Sequence, residues 1–286
     1  MTKVGMVLEG GSMRGIFTTG VLDVMLENNI EIDGIVAVSA GALFGINYFS
    51  KQKGRGIRYN KKYLGDKHYI STHSLLTTGN LVNKEFAFHK VTKELDPFDN
   101  ETFMKSNKDF YVTTTNIETG LPEYLKINNV YEQLEEFRAS SALPFASEII
   151  EINGKKYLDG GISDSIPLDK CISLGYDKII IVLTQPLNFR KQPLDKTKLK
   201  MVNLKYHKYP KLIESMEQRH IKYNQTLDKI IDLENKKEIF VIRPYKKIDL
   251  DIKNPDKTKL DEVYNMGIND CNNIIDKLKE YLITLK

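Results

Sequence analysis

Four segments at the start of the chain alternate between two hydrophobic periods, and that alternation restricts the fold more than any other feature. Val4–Leu8 is a short apolar run closed by Glu9 and the Gly10-Gly11 pair, the pattern of a buried strand. Residues 16–28 then place Ile16, Phe17, Val21, Leu22, Met25 and Leu26 on one helical face. Asp33-Gly34 marks a turn, and residues 35–38 are apolar again. Residues 40–48 are small and apolar, as in a helix packed close against a sheet. Strand, helix, strand, helix in this order predicts a parallel α/β sheet with right-handed crossovers.

The rest of the chain extends that pattern. Residues 54–83 show no clear period and predict a long loop or short helices covering a site. Residues 110–116 and 123–126 predict paired strands joined across Glu118-Thr119-Gly120, and a helix is expected over 131–140. Residues 149–152 and 155–158 flank Asn153-Gly154, a strong hairpin signal. Ser165-Ile166-Pro167 starts a helix, 178–183 reads as a buried strand, and 211–233 as a helix. A last strand over 240–243 and a last helix over 259–282 complete the expectation.

Composition limits the class of protein. With 41% hydrophobic and 28% charged residues in 286, the chain reads as a soluble globular protein. No apolar run approaches the roughly 18 residues of a membrane span. The apolar stretch at the N-terminus is too short for a secretory signal, so a cytoplasmic location is expected. Cys171 and Cys271 stand far apart with no nearby histidine cluster, so neither a disulfide framework, a metal site nor a cofactor is expected. A net charge of +4 is too mild for a nucleic-acid binder. Eight basic residues between 190 and 211, against the single Asp195, are interleaved with Leu199, Met201, Val202, Leu204, Tyr206 and Tyr209. Such a segment can rest on an anionic membrane surface. A solvated loop and helix face is the plainer reading.

The chemistry-bearing residues lie at the strand-to-helix turns. Ala37-Val38-Ser39-Ala40-Gly41 places a serine between the second strand and a small-residue helix, where Ala37 and Gly41 let the backbone turn and expose the hydroxyl. The helix N-terminus beyond it favours negative charge near Ser39. Gly10, Gly11, Ser12, Met13, Arg14 and Gly15 form a loop at the preceding turn whose amides can face an oxyanion. A dinucleotide-binding loop is a competing reading, but Ser12 stands where the pyrophosphate needs a glycine. Asp159, before Gly160-Gly161, is the best-placed base; with an ordinary pKa of ~3.9 it needs desolvation to work near neutral pH. A Ser-Asp-His triad using His207 or His220 is the other arrangement that chain order permits.

These elements, in this order, resemble the patatin-like phospholipase family, particularly its bacterial members. The matching stretches are Gly10–Gly15, Ala37–Gly41, Asp159-Gly160-Gly161 and the run Arg138-Ala139-Ser140-Ser141-Ala142-Leu143-Pro144. Ser12 and Ala37 depart from the family's glycines. The resemblance implies a three-layer α/β/α fold with a mainly parallel sheet, Ser39 as nucleophile, Asp159 as base, residues 10–15 as oxyanion hole, and a lipid acyl ester as substrate. A core over residues 1–184 and a helical C-terminal extension over 185–286, packed on the same domain, follow as expectations.

Overall fold

The pleat explains why the opening strands are apolar throughout. In β1 (Val4–Leu8), Met6 and Leu8 join one apolar core and Val7 joins a second; in β2 (Gly34–Val38), Ile35 and Ala37 go with the first and Val36 with the second. A strand covered on both faces has no side left for polar residues. The computed structural model describes residues 2–250 and 256–284. In it, β3 (Asp109–Asn116), β4 (Pro122–Lys126), β5 (Ile150–Ile152), β6 (Lys155–Asp159), β7 (Lys178–Val182) and β8 (Phe240–Ile242) complete one sheet. Its order is β5-β6-β3-β2-β1-β7-β8, with β4 also pairing β3. The pairs β3–β2, β2–β1, β1–β7 and β7–β8 are parallel, and β3–β4, β3–β6 and β5–β6 antiparallel.

Helices α1 (Gly15–Glu27), α2 (Ala40–Phe49), α3 (Arg55–Tyr63), α4 (Thr72–Thr78), α5 (Asn100–Ser106), α6 (Leu134–Ser140), α7 (Leu168–Ser173), α8 (Lys196–Tyr206), α9 (Pro210–Asn235), α10 (Lys257–Asn272) and α11 (Ile275–Ile283) surround the sheet. The first core takes α1, α2, α3, α10 and α11; the second takes α7 and the later turns of α9 through Leu168, Cys171, Tyr223, Leu227 and Ile230. A third cluster packs α8 and the start of α9 against the β5–β6 hairpin through Val202, Tyr206, Leu212 and Met216. The result is an α/β/α sandwich. Helices α1 and α10 approach to backbone contact: a Cβ on Gly20 would lie 2.2 Å from Tyr264 O, and one on Gly267 2.1 Å from Phe17 O.

Residues 54–83 form short helices, α3 and α4, as expected, with an isolated bridge between Ile70 and Val82, and a π-helix follows over Lys84–Leu95. Two expectations change in detail. The helix expected from 131 starts at Leu134, because side chains wrap the turn before it: Asn128 N–H donates to Gln133 Oε1 at 2.7 Å and Tyr131 N–H to Asn129 Oδ1 at 3.1 Å. The single helix expected over 259–282 is two, α10 and α11. The break at Asn273-Ile274 turns α11 so that the Tyr281 hydroxyl donates to Glu238 O at 2.9 Å, beside β8.

Candidate active site

Strand β3 brings the serine and the aspartate together. Its early residues pair with β2, ending with Val38 opposite Thr113, and its later residues pair with β6, Asp159 lying opposite Thr114. Because β4 runs along the other edge across both stretches, β2 and β6 meet end to end on one edge of β3. The residue after Val38 is Ser39, so serine and carboxylate face each other across that junction. Ser39 Oγ donates a hydrogen bond to Asp159 Oδ2 at 2.7 Å, and Asp159 Oδ1 accepts from Gly161 N–H at 2.7 Å. Both side chains are buried, at 7% and 3% exposure.

The turn at Ser39 is strained and tethered. Ser39 has φ 53° and ψ −125°, a conformation that costs a residue with a side chain about 1–3 kcal/mol. Its N–H donates to Ser140 Oγ at 2.9 Å, whose hydroxyl donates in turn to Thr113 O at 2.8 Å. Two residues on, Ala142 O accepts from Asp159 N–H at 2.9 Å. The end of α6 therefore holds both Ser39 and Asp159. Gly41 must lack a side chain, since a Cβ there would lie 2.6 Å from Leu8 O. Ala37 fits without exposure in β2, between Leu8 and Val112.

The glycine loop lies against Ser39: a Cβ on Gly10 would lie 3.2 Å from Ser39 Cβ. Within the loop, Gly10 N–H donates to Ser165 O, Arg14 N–H to Gly11 O, and Gly15 N–H to Met13 O and Ser12 O. The amides of Gly11, Ser12 and Met13 have no acceptor among the described residues. Ser12, which stands where the family has glycine, sits at φ 51°, in the left-handed region that glycine enters without strain. Glu9 anchors the loop from below, accepting from Tyr223 OH on Oε1 and from Thr184 N–H on Oε2, both at 2.6 Å.

Burial is the largest influence on Asp159 and raises its pKa above the ordinary carboxylate value. The hydrogen bond from Ser39, the charge of Arg219, the Gly161 N–H and the charge of Lys191 act in the opposite direction, in decreasing order. A desolvated carboxylate so placed is a stronger base than one in water. Ser39, Ser12 and Met13 open onto an apolar cavity of ≈ 120 Å³ lined by Phe44, Tyr59, Val91 and Phe137. Neither His207 nor His220 bonds to the pair; each ring sits near the carbonyl three residues before it, Leu204 O and Glu217 O.

A sheet of this order, carrying a serine at a strained strand-to-helix turn and an aspartate one rung away, defines a class of hydrolase-like α/β site. Residues 6–172, more than half of the 286, match the patatin-like phospholipase family, and the chain belongs to it. Residues 209–283 match a domain of unknown function, DUF6363. An uncharacterized protein of Escherichia coli, YjjU, is 29% identical over 189 residues, 64% of this chain and 52% of that protein. Lysophospholipase nte1 of Aspergillus fumigatus is 31% identical over 192 residues, 63% of this chain and 12% of that protein. The match thus spans about half of the bacterial relative and a small part of the fungal one. A looser structural likeness, with a TM-score of 0.49 at 12% identity, covers 96% of this chain and 67% of VipD from Legionella pneumophila. Among the described residues no helix is long and apolar enough to cross a membrane.

Three participants in the site's geometry carried no local signal. Ser140 and Ala142 lie in the Arg138–Pro144 run, which marks the family without declaring a role. Arg219 sits on an amphipathic helix far along the chain and is indistinguishable there from a solvated residue.

Proposed function

We propose that this protein is a serine esterase that cleaves acyl esters of phospholipids, lysophospholipids or related lipids. The observation that carries the proposal is the 2.7 Å hydrogen bond from a strained, buried serine hydroxyl to a desolvated carboxylate. Ser39 Oγ attacks the ester carbonyl while its proton passes to Asp159 Oδ2. The developing oxyanion is received by the unpaired amides of Gly11, Ser12 and Met13, each such donor typically lowering the barrier by about 3 kcal/mol. Collapse of the tetrahedral intermediate breaks the bond to the leaving alcohol, which takes the proton from Asp159. Water then attacks the acyl-enzyme, giving a proton to Asp159; collapse of the second tetrahedral intermediate breaks the bond to Ser39 Oγ and releases the fatty acid, and Asp159 returns the proton to the serine oxygen. The apolar cavity beside Ser39 suits the acyl chain, and the name of the fungal relatives agrees with a lipid substrate.

The test is a panel of acyl esters with wild type, Ser39→Ala and Asp159→Asn, together with fluorophosphonate labelling. Wild type should hydrolyse the esters and label at Ser39, and both variants should lose hydrolysis by about 10³-fold or more. Retained hydrolysis in a folded Ser39→Ala protein overturns the assignment.

A further inference from the structure

Arg219 lies beside the Asp159–Gly161 turn, and two further basic side chains from distant parts of the chain gather with it. Arg14 comes from the glycine loop, Lys191 from the segment after β7, and Arg219 from α9. All three are part-buried. Among the described residues none of their side-chain nitrogens has a hydrogen-bond or carboxylate partner, and the Nε atoms of Arg14 and Arg219 are sunk without an acceptor. Lys191 Nζ lies only over the Tyr223 ring, 4.4 Å from its centre. The placement is close to the reacting groups: a Cβ on Gly161 would stand 3.2 Å from Arg219 Nη2 and 2.9 Å from Asp159 Oδ1.

The two carboxylates nearby are already occupied. Glu9 accepts from Tyr223 and Thr184, and Asp159 from Ser39 and Gly161. Three cations against two engaged carboxylates leave a net positive charge and a set of donors with nothing to bind. Gathered like charges disfavour one another: burial first, and then the charge of Arg219, push the Lys191 ammonium down to about 8. A dianion or monoanion seated among them would remove that repulsion. Guanidinium forks match the oxygens of phosphate in pairs, which a single ammonium does not. The position is also separate from the cavity. Tyr223 and the later turns of α9 belong to the second layer, whereas the cavity's Phe44, Tyr59, Val91 and Phe137 belong to the first.

We propose that Arg14, Lys191 and Arg219 form a phosphate subsite that seats the head group of a phosphate-bearing acyl ester beside Ser39, with the acyl chain in the cavity of the opposite layer. The inference rests on the esterase reading and narrows it to anionic phosphate esters. It also makes α9, within the segment matching the domain of unknown function, a specificity-determining part of the site.

The experiment compares a 1-acyl-glycerol 3-phosphate with the neutral 1-monoacylglycerol of the same chain, using wild type, Lys191→Met, Arg219→Gln and the charge-retaining Arg219→Lys. Wild type should prefer the phosphate ester. Each neutralising variant should lower the preference for the phosphate ester, its kcat/KM divided by that of the neutral ester, by about 10–100-fold, with partial rescue in Arg219→Lys. Equal loss on both esters, or no loss on either, overturns the subsite. Calorimetry with glycerol 3-phosphate and inorganic phosphate supplies a readout that does not need turnover. If neither ester is cleaved, the esterase reading fails; glycerol 3-phosphate binding that weakens in Arg219→Gln still upholds the subsite, and absent binding overturns it. Inorganic phosphate binding without any preference for the phosphate ester overturns the head-group assignment.

Discussion

Replacing Ser140 with alanine tests how the nucleophile is held. The Ser140 hydroxyl is fully buried and makes two hydrogen bonds, accepting from Ser39 N–H at 2.9 Å and donating to Thr113 O at 2.8 Å. Its removal leaves a buried donor and a buried acceptor without partners, at about 1–3 kcal/mol each, so a total of about 2–6 kcal/mol is expected. For a chain of this size that corresponds to a fall in Tm of roughly 5–15 °C. The kinetic effect is separate. Ser39 keeps φ 53° only because its surroundings enforce it, and a displaced nucleophile loses rate even when substrate still binds. Ser140→Ala should therefore lower kcat by about 10–100-fold with KM changed by less than about 2-fold, and slow fluorophosphonate labelling in proportion. Differential scanning fluorimetry gives the first quantity; ester kinetics and labelling, run well below the variant's Tm, give the second. A variant with wild-type Tm and wild-type labelling rate refutes the reasoning.

Two further expectations follow from the same geometry. In the proposed mechanism Asp159 accepts the proton only when ionised, and burial raises its folded pKa, so the acid limb of kcat/KM should lie above the ordinary carboxylate range. The same shift means that ionising Asp159 disfavours the fold: stability associated with it is fullest below the unfolded value and is lost as pH rises through the raised folded one. The stability of Asp159→Asn relative to wild type should rise as pH climbs from the ordinary carboxylate value of ~3.9 through the raised folded one, and a relative stability that falls contradicts the burial argument. Val91, 1% exposed, lines the cavity; Val91→Trp should cut kcat/KM for a long-chain ester by about 10-fold or more relative to an acetate. Equal effects on long and short chains would remove the cavity from acyl binding.

Much of the framework was legible because it rests on local rules. Unbroken apolar runs at 4–8, 35–38 and 178–183 reflect strands covered on both faces, and Asn153-Gly154, at φ 50° and 75°, marked its hairpin. The serine turn and the glycine loop declare themselves through small residues whose backbones must come close. The boundaries that shifted did so for reasons beyond local pattern. Side chains of Asn129 and Gln133 displaced the start of α6, and packing of Tyr281 beside β8 split the last helix. The supporting shell was the least legible. Ser140 acts through a hydroxyl that looks like any other until Ser39 is beside it. Arg219 reaches the site only because α9 crosses behind the sheet, and Lys191 because its backbone is tied to the Asn224 side chain of that helix, placements no periodicity encodes.

The end-to-end meeting of β2 and β6 along β3 has an evolutionary corollary. Ser39 and Asp159 are 120 positions apart, yet their spacing is set by adjacent rungs of one strand, about 3.3 Å per residue. That strand works as a ruler. Insertions or deletions in the covering helices between them can remodel the entrance freely, while the separation of hydroxyl and carboxylate stays the same.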